Sequence, residues 1–438
     1  MTKKRSLSTG SLIFLAWLAL GSPAGAQQST ESALRNLKAA DKSLRQQSAA
    51  DLGVLGKSDV VGPLDEAFRS EGEADVRGEI LLSLGKIRDK AALSTLTYAL
   101  ANDPAKDVRL QAIDSILRLY IPIEEQGVVR RFLGGVKSLF VENEQLVVQP
   151  FVQVDKEAKE SLSKALLDRE SAVRENAARA LGSLRAGDQV AAMDQALAVS
   201  GKDTRVAIVR ALGIIRSEEA GPVLLRQLND REKDVVRQSA ISLGLVKYGP
   251  GQESLKKLFH SSKDKDLRRA GAEGMALISD PKEKEFFEGL LRDDRDDKLR
   301  EFGAEGLARI ADASSEQLLR ERLNRETKSN VTTALHFALV SLGKTEHVGP
   351  LVSAVTARFS NQAEVYLFEI GKHQKRIDLL YPFLLNDDPK VRAAIVRVLG
   401  RIGNYEAFER IQPLASDKNE DVAKEAVEAM RILERSRR

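Results

Sequence analysis

Apolar side chains recur along this chain at the spacing of an amphipathic helix. Around Arg174, apolar or small residues lie one position before the arginine and three, four, seven and ten positions after it. These residues are Val173, Ala177, Ala178, Leu181 and Leu184. The spacing places them on one face of an α-helix. It therefore predicts a helix over this stretch with one buried face.

The same pattern returns along the chain at a nearly constant interval. With the arginine as a marker, it appears at Arg45, Arg77, Arg109, Arg174, Arg205, Arg237, Arg268, Arg300 and Arg392, with the degenerate equivalents Thr332, Gln362 and Ala423. Successive markers lie 30 to 32 residues apart, except for an interval of 65 residues between Arg109 and Arg174. A fixed period of this length is typical of a repeat architecture in which each unit packs on its neighbours.

A further apolar segment precedes each marker helix. Examples are Ala91–Leu100, Val190–Leu197, Gly221–Leu228 and Phe286–Leu291. Short polar turns join the two segments, so each repeat unit is predicted to be a pair of helices. A glycine or another small residue often follows the marker by eight positions, as Gly85 follows Arg77. We expect such a residue to let a neighbouring helix approach closely.

The turns often place an aspartate six residues before the arginine. The pairs are Asp103 with Arg109, Asp168 with Arg174, and Asp294 with Arg300. Aspartate is a favourable helix N-cap, because its carboxylate accepts backbone N–H groups and suits the positive end of the helix dipole. We therefore expect these aspartates to cap the marker helices.

The pattern D-x-x-x-x-V-R-x-x-A-A-x-A-L-G-x-L of Asp168–Leu184 resembles the HEAT repeat. It is similar to the short bacterial variety that also occurs in phycobilisome lyase-type proteins, and it extends over about residues 34–435 apart from the long interval. The resemblance implies an all-α fold, an α/α superhelical solenoid of about a dozen helix pairs with one irregular insert. It also implies a structural ladder between adjacent repeat units, formed by Asp103, Arg109, Asp168, Arg174, Asp294 and Arg300.

Residues 121–155 interrupt the repeat, between repeat regions at 27–120 and at 156–438, the second of which ends in a C-terminal cap. Within the interruption, residues 126–140 can form a helix. The β-branched run 146–154 contains a proline and favours extended structure or an edge strand. We expect an irregular insert or a degenerate repeat unit here.

Four aromatic side chains lie in or beside this interruption. They are Tyr120, Phe132, Phe140 and Phe151. One interpretation is that they fill the local core of a degenerate repeat. The other is that they bind a partner protein, because insertions in solenoids often lie on a binding face.

The first residues have the composition of a signal peptide over positions 1–26. The basic residues Lys3–Arg5 precede the apolar run Leu12–Leu20, which is too short to span a bilayer. Ala24–Ala26 supplies the small residues of a cleavage site, so we place the cut before Gln27. The pattern predicts export to the periplasm, with no transmembrane segment in the mature chain. Because the sequence has 0 Cys, it offers no thiol for a lipid anchor or a disulfide.

Charge argues against a nucleic-acid partner. Residues 1–26 carry three basic and no acidic residues, so the formal net charge of +4 falls to +1 after cleavage. Acidic neighbours also accompany most of the marker arginines. A nucleic-acid-binding surface needs a clear basic excess, and we therefore expect no nucleic acid among the partners.

No catalytic or ligand-binding group can be singled out. The four histidines are His260, His336, His347 and His373. None is followed by Glu, and no H-E-x-x-H motif occurs. The acidic run 293–297 lacks the Gly and terminal Glu of a calcium loop, and the glycines of Gly53–Ser58 are too close together for a phosphate-binding loop. We expect no catalytic residue, no cofactor and no metal.

These observations predict a non-catalytic periplasmic scaffold that binds another protein. Its binding surface would be the concave helix surface or the 121–155 insert. One alternative is a lyase-like enzyme acting on a linear tetrapyrrole, as the resemblance to phycobilisome lyase-type proteins implies. The other is a purely structural component of the cell envelope.

Overall fold

The computed structural model describes residues 23–121, 147–149, 152–358 and 360–437. In this part of the chain the backbone forms helices joined by short turns, and no residue lies in a β-strand. Of the predicted signal peptide, residues 1–22 lie outside the described ranges. A search of the described helices finds none that combines the length and the apolar character needed to cross a membrane.

The helices fall into two compact units. Unit 1 contains the described residues up to 121 and from 154 to 184. Unit 2 contains those from 185 onward, together with residues 147–149 and 152–153. In unit 1 the helices are α1 (Pro23–Asn36), α2 (Lys42–Leu55), α3 (Val61–Ser70), α4 (Ala74–Ile87), α5 (Leu93–Asn102), α6 (Lys106–Tyr120), α7 (Lys156–Ala165) and α8 (Ser171–Ser183).

Unit 2 continues the alternation of a shorter first helix and a longer second helix. Its helices are α9 (Val190–Val199), α10 (Lys202–Ile215), α11 (Ala220–Gln227), α12 (Lys233–Val246), α13 (Gln252–Ser261), α14 (Lys265–Ile278), α15 (Lys284–Asp293), α16 (Asp297–Ile310), α17 (Glu316–Leu323), α18 (Ser329–Ser341), α19 (Val348–Ser353), α20 (Ser360–Lys372), α21 (Pro389–Ile402), α22 (Phe408–Ile411) and α23 (Glu420–Ser436).

Short 3-10 helices lead into many of the first helices or replace them. They are Ser58–Val60, Lys90–Ala92, Gly187–Gln189, Gly249–Gly251, Pro281–Glu283, Ala313–Ser315, Thr345–His347, Ala354–Thr356, Ile377–Leu379, Tyr381–Leu385, Tyr405–Ala407 and Gln412–Ser416. Before α21, two such turns take the place of a first helix, and Pro382 is the second residue of the later one, Tyr381–Leu385. Proline has no backbone N–H to donate, which suits the first turn of a helix.

The second helices form the continuous layer of each unit. In unit 1 they are α2, α4, α6 and α8, and each packs on the next. In unit 2 they are α10, α12, α14, α16, α18, α20, α21 and α23, again in contact along the series. The predicted apolar stripe of α8 is buried, with Val173, Ala177 and Leu181 fully inaccessible to solvent. The predicted helix pairs with one buried face are confirmed.

Gly85 marks the close approach of α4 to α6. A Cβ atom on this residue would lie 2.9 Å from the Cα of Ser115, closer than side chains normally pack. The Ser115 hydroxyl donates a hydrogen bond to the carbonyl of Leu81 at 2.7 Å, which ties the two helices together at this point. The expectation that a missing side chain here admits the neighbouring helix is confirmed.

The structure bears on two predictions of local structure. For the run 146–154 the prediction is extended structure or an edge strand. The edge strand is wrong for the described residues 147–149 and 152–154, because the described part of the chain offers no neighbouring strand to pair with. The N–H of Val152 donates to the carbonyl of Gln149 at 3.0 Å. In addition, Arg237 is one residue out of register, since the fourth residue of α12, which corresponds to the marker, is Val236.

We expect Gly85→Ala to lower the stability of unit 1 by about 1–3 kcal/mol, because the added methyl group forces α4 and α6 apart. The matched control is Gly78→Ala in the same helix, where nothing lies within 4 Å of the added Cβ. That variant should gain up to about 1 kcal/mol from the higher helix propensity of alanine. Urea unfolding followed by circular dichroism measures both changes. Equal effects of the two substitutions would contradict the close-approach explanation.

Candidate functional site

The marker arginines connect successive repeat units. In α6, the Nη1 atom of Arg109 donates to the carbonyls of Asp103 and Pro104, at 2.9 and 3.1 Å. The Nε and Nη2 atoms of the same side chain donate to the carboxylate of Asp168, at 2.8 and 2.9 Å. One guanidinium group therefore binds the turn of its own repeat unit and the carboxylate of the next repeat unit. This geometry uses the planar donor fork that distinguishes arginine from lysine.

Equivalent contacts recur with shortest nitrogen–oxygen distances of 2.7 to 3.0 Å. They join Arg45 to Glu71, Arg77 to Asp103, Arg205 to Asp230, Arg300 to Glu326, and Arg392 to Asp417. The acid follows the arginine by 25 or 26 residues in each of these pairs. Arg109 and Asp168 are 59 residues apart because the long interval lies between them.

The aspartates of the predicted ladder therefore serve two neighbours. The Asp103 carboxylate binds Arg77 of the preceding unit, and its backbone carbonyl binds Arg109 of its own unit. The prediction that these aspartates are helix N-caps is wrong, since Ala105 caps α6. The Asp103 carboxylate accepts the N–H of Ala105 at 2.9 Å, which shapes the turn two residues before the helix begins. Glu170 and Asp296 likewise cap α8 and α16, two residues after Asp168 and Asp294.

Two predicted members of the ladder have weaker contacts. Arg174 donates to the carbonyls of Asp168 and Arg169, but no carboxylate within the described residues pairs with it. The position 26 residues further along the sequence is Ser200, which has no carboxylate. Asp294 lies 3.8 Å from Arg268, too far for a hydrogen bond. The ladder explains packing between units and offers no surface for chemistry.

The aromatic residues predicted to bind a partner are divided between buried and undescribed positions. Tyr120 is only 3% exposed, its hydroxyl donates to Asp155 at 2.8 Å, and Lys90 lies over its ring. Burial and the Asp155 carboxylate raise the pKa of Tyr120. This burial corrects the prediction for Tyr120, which is not an exposed contact residue. The other three, Phe132, Phe140 and Phe151, lie outside the described residues.

Unit 2 brings a group of charged side chains together on its second helices. This glutamate cluster consists of Glu273 on α14, Glu301, Glu305 and Arg309 on α16, and Tyr366 and Glu369 on α20. Because Glu301, Glu305 and Arg309 are each four residues apart, successive turns of α16 place them on one face. The glutamate cluster therefore combines residues from repeat units that lie far apart in the sequence.

Most members of the glutamate cluster are paired. Glu301 accepts hydrogen bonds from Lys298, Asn330 and Gln362 at 2.6 to 2.8 Å. Burial raises its pKa, and the nearby charge of Glu305 adds to the effect. The hydroxyl of Tyr366 donates to Glu305. These contacts hold two buried carboxylates within one helical turn of each other, which requires donors on both.

Arg309 holds the other end of the cluster. Its Nε and Nη2 atoms donate to the Glu369 carboxylate at 2.9 and 2.8 Å, and its Nη1 atom donates to Glu305 at 3.1 Å. Burial would raise the pKa of Glu369, but the ion pair with Arg309 outweighs it and the pKa lies below its usual range. The donors of Arg309 are therefore taken up by two carboxylates and by the carbonyl of Ala276, at 3.2 Å, which leaves little to neutralise a third carboxylate.

Glu273 is the exception in the glutamate cluster. It makes no hydrogen bond or ion pair with any described residue, and its side chain stays partly open to solvent. Burial, followed by the negative charge of Glu305, raises its pKa to about 7. Near neutral pH the carboxyl group of Glu273 is therefore present in both its protonated and its ionised form. A positive charge brought next to it would favour the ionised form.

The sequence search missed this cluster because carboxylates are common in the chain. Among 64 Asp and Glu residues no pair stands out by itself. The signal that could have found it is the repeat register, since Glu273 and Glu305 both lie five residues after their markers, Arg268 and Arg300. Equal positions in adjacent units lie side by side when second helices stack.

No metal centre is evident where the structure can be described. In those residues no three His, Asp or Glu side chains converge on a point that could hold a metal ion.

Comparison with known proteins identifies the repeats. A family profile described as HEAT repeats matches residues 30–116, 160–244, 252–354 and 377–437, which is more than half of the chain. The matched ranges leave out the whole interruption at 121–155. No curated protein sequence matches the chain.

Several solved structures are similar in fold. An engineered protein is 18% identical, with a TM-score of 0.34, covering 93% of this chain and 99% of that protein. The complex of CpcE and CpcF of phycocyanin lyase from Nostoc sp. PCC7120 is 21% identical, with a TM-score of 0.27 and coverages of 70% and 94%. Importin beta is 14% identical, with a TM-score of 0.49 and coverages of 98% and 65%. Sequence identities and TM-scores this low give no information about the activity or the partners of this chain.

We expect Arg109→Gln to destabilise unit 1 by about 3 kcal/mol, because it leaves the nearly buried carboxylate of Asp168 without its cation. Arg174→Gln is the matched control, since Arg174 has the same helix position and the same two carbonyl contacts but no carboxylate partner. Its loss should be smaller by at least about 1 kcal/mol. Urea unfolding, with amide exchange to locate the change, measures both. Equal losses would mean that the ion pair contributes nothing.

We expect Glu273→Gln to stabilise unit 2 at pH 8 by about 1–2 kcal/mol and to have little effect at pH 5. The pKa of Glu273 is raised in the folded chain, so the native protein binds this proton more tightly than the unfolded protein does. The resulting stability is present at low pH and is lost as the pH rises through about 7. The control is Glu253→Gln, at an exposed position of α13. Urea midpoints at the two pH values test this, and a pH-independent effect would contradict it.

Proposed function

This chain belongs to the family of HEAT-repeat proteins, and on that premise we propose that it is a non-catalytic scaffold that binds another protein in the periplasm. The observation that carries the proposal is the unpaired carboxylate of Glu273 on the second-helix layer of unit 2. Around it lie the other members of the glutamate cluster, of which Glu301, Glu305 and Tyr366 are buried, so that Glu273 is the unpaired carboxylate that a partner could reach.

The composition of this surface supports a basic partner. The glutamate cluster contains four carboxylates, and the cations beside them are Lys298 and Arg309, which leaves a formal charge of −2 when all are ionised. A net negative charge around a partly exposed carboxylate disfavours nucleic acid and favours proteins with exposed lysine or arginine. The partner we propose therefore presents at least one basic side chain to Glu273.

The partial desolvation of Glu273 favours its contact with a basic side chain. Neighbouring protein atoms have already removed much of the water from this carboxylate, as its raised pKa indicates. Pairing it with a cation therefore costs little additional desolvation of the acid and relieves the repulsion from Glu305. Binding of a basic side chain should release a proton from Glu273 and become tighter as the pH rises through 7.

The proposed location rests on the N-terminal pattern of basic residues, an apolar run and small residues. The non-catalytic role is proposed because hydrogen bonds and ion pairs explain every member of the glutamate cluster except Glu273. The lyase alternative depends on shared repeats alone, and no described side chain favours it.

The test is capture of binding partners from a periplasmic extract with the chain beginning at Gln27. We expect the wild-type protein and Glu253→Lys to recover the same basic proteins, and Glu273→Lys to lose them by at least about tenfold, because it places a cation where the partner's cation would lie. Binding at pH 8 should exceed binding at pH 6.

Two checks accompany this experiment. Circular dichroism and urea unfolding establish that Glu273→Lys remains folded, and Glu273→Gln provides a milder loss of charge if it does not. Detection of the chain itself in the periplasmic fraction, beginning at Gln27, tests the location. Recovery of the same proteins by every variant would mean that this surface does not bind the partner.

A further inference from the structure

Two histidines meet where successive repeat units of unit 2 join. His336 lies on α18, and His347 ends the 3-10 helix Thr345–His347 that leads into α19. Their Nδ1 atoms are 3.0 Å apart, which is hydrogen-bond distance, and both rings are partly buried. A direct contact therefore connects the second helix of one unit to the start of the next unit.

Arg320 on α17 determines which nitrogen carries each proton. Its Nη1 atom lies 3.4 Å from the Nε2 atom of His347, and its other donors bind Glu316 and Glu346 at 2.9 and 2.8 Å. Because a guanidinium group can only donate, Nε2 of His347 is the acceptor. Nδ1 of His347 then carries the hydrogen and donates it to Nδ1 of His336.

A further proton on His336 breaks this arrangement. It places a hydrogen on the Nδ1 atom of His336, directly opposite the hydrogen of His347, so that two donors face each other. A proton on His347 instead goes to its Nε2 atom, which faces the guanidinium group of Arg320 and, at 3.9 Å, the carboxylate of Glu346. It leaves the hydrogen bond to His336 in place. The contact is therefore lost when His336 is protonated.

We propose that the His336–His347 contact is a pH-sensitive connection between two repeat units, closed at neutral pH and opened by acid. It is independent of the proposed partner surface. The residues that carry it are His336, His347 and Arg320. Opening would free α19, which has only six residues, from the end of α18. The scaffold would then be locally more mobile in an acidified compartment than at neutral pH.

Burial, more than the neighbouring charges, favours the neutral state of the pair. Burial, followed by the proximity of His347, lowers the pKa of His336 to about 4. Burial and Arg320 lower the pKa of His347, against the opposing effect of Glu346. Lys344 pairs with Glu316 on the far side of Arg320. The unfolded or opened segment takes up protons near pH 6.5, so the contact stabilises the structure above that pH and is lost as the pH falls towards 4.

The first test is amide exchange of the full chain, corrected for the intrinsic effect of pH. Between pH 7 and pH 5, exchange in residues 345–353 should become faster on the order of tenfold. In the double variant His336→Gln with His347→Gln, this extra acid sensitivity should disappear. His260→Gln, at an exposed position on α13, should keep it. Acid sensitivity that persists in the double variant would overturn the proposal.

A second measurement does not depend on any variant being folded. Selective isotope labelling of histidine allows the four rings to be titrated individually in the wild-type chain. In the folded protein the ring of His336 should titrate at about pH 4, and the pKa of His347 should lie below its usual range. Ordinary titration of both rings near pH 6.5, with no change in exchange at 345–353, would show that the contact does not respond to pH.

Discussion

The stacking of the repeat units depends on a guanidinium group that six of the described units present to the next one. Arg109 and its equivalents bind two carbonyls of their own turn and, from the opposite edge, the carboxylate of the following unit. A single side chain therefore sets both the shape of a unit and its register against the next one. Apolar burial supplies most of the stabilisation of such stacks but is not directional. The planar set of N–H donors on each arginine fixes the orientation of one repeat unit against the next, which burial alone does not.

The helix pairs and their buried stripes could be predicted from the sequence, because each follows from the apolar period within one helix. The partner of each arginine could not, since the acid lies 25 or 26 residues away on another turn. Asp103 illustrates the error. It precedes Arg109 closely in sequence, but its carboxylate binds Arg77 and its carbonyl binds Arg109. The spacing of residues in the sequence does not show whether the carboxylate or the backbone carbonyl of an aspartate makes a given contact.

The glutamate cluster and the histidine pair escaped the sequence search for a related reason. Glu273 and Glu305 are 32 residues apart, and only the stacking of equal positions brings their charges together. His336 and His347 are close in sequence, but the turn after α18 is what directs His347 back towards the helix. In both cases the chemistry arises from tertiary contacts between common residue types, for which the sequence has no distinctive motif.

The arginine ladder also bears on how such a chain can grow. A unit that carries its own arginine and presents its own acid can be duplicated in tandem, and the new interface acquires a complete ion pair at once. Val236 lacks the donor and the position of Ser200 lacks the acceptor, so copies made at these places would stack without that bond. Duplication of a repeat unit therefore disturbs the packing least where the ladder is intact. It disturbs the packing most at the interrupted positions.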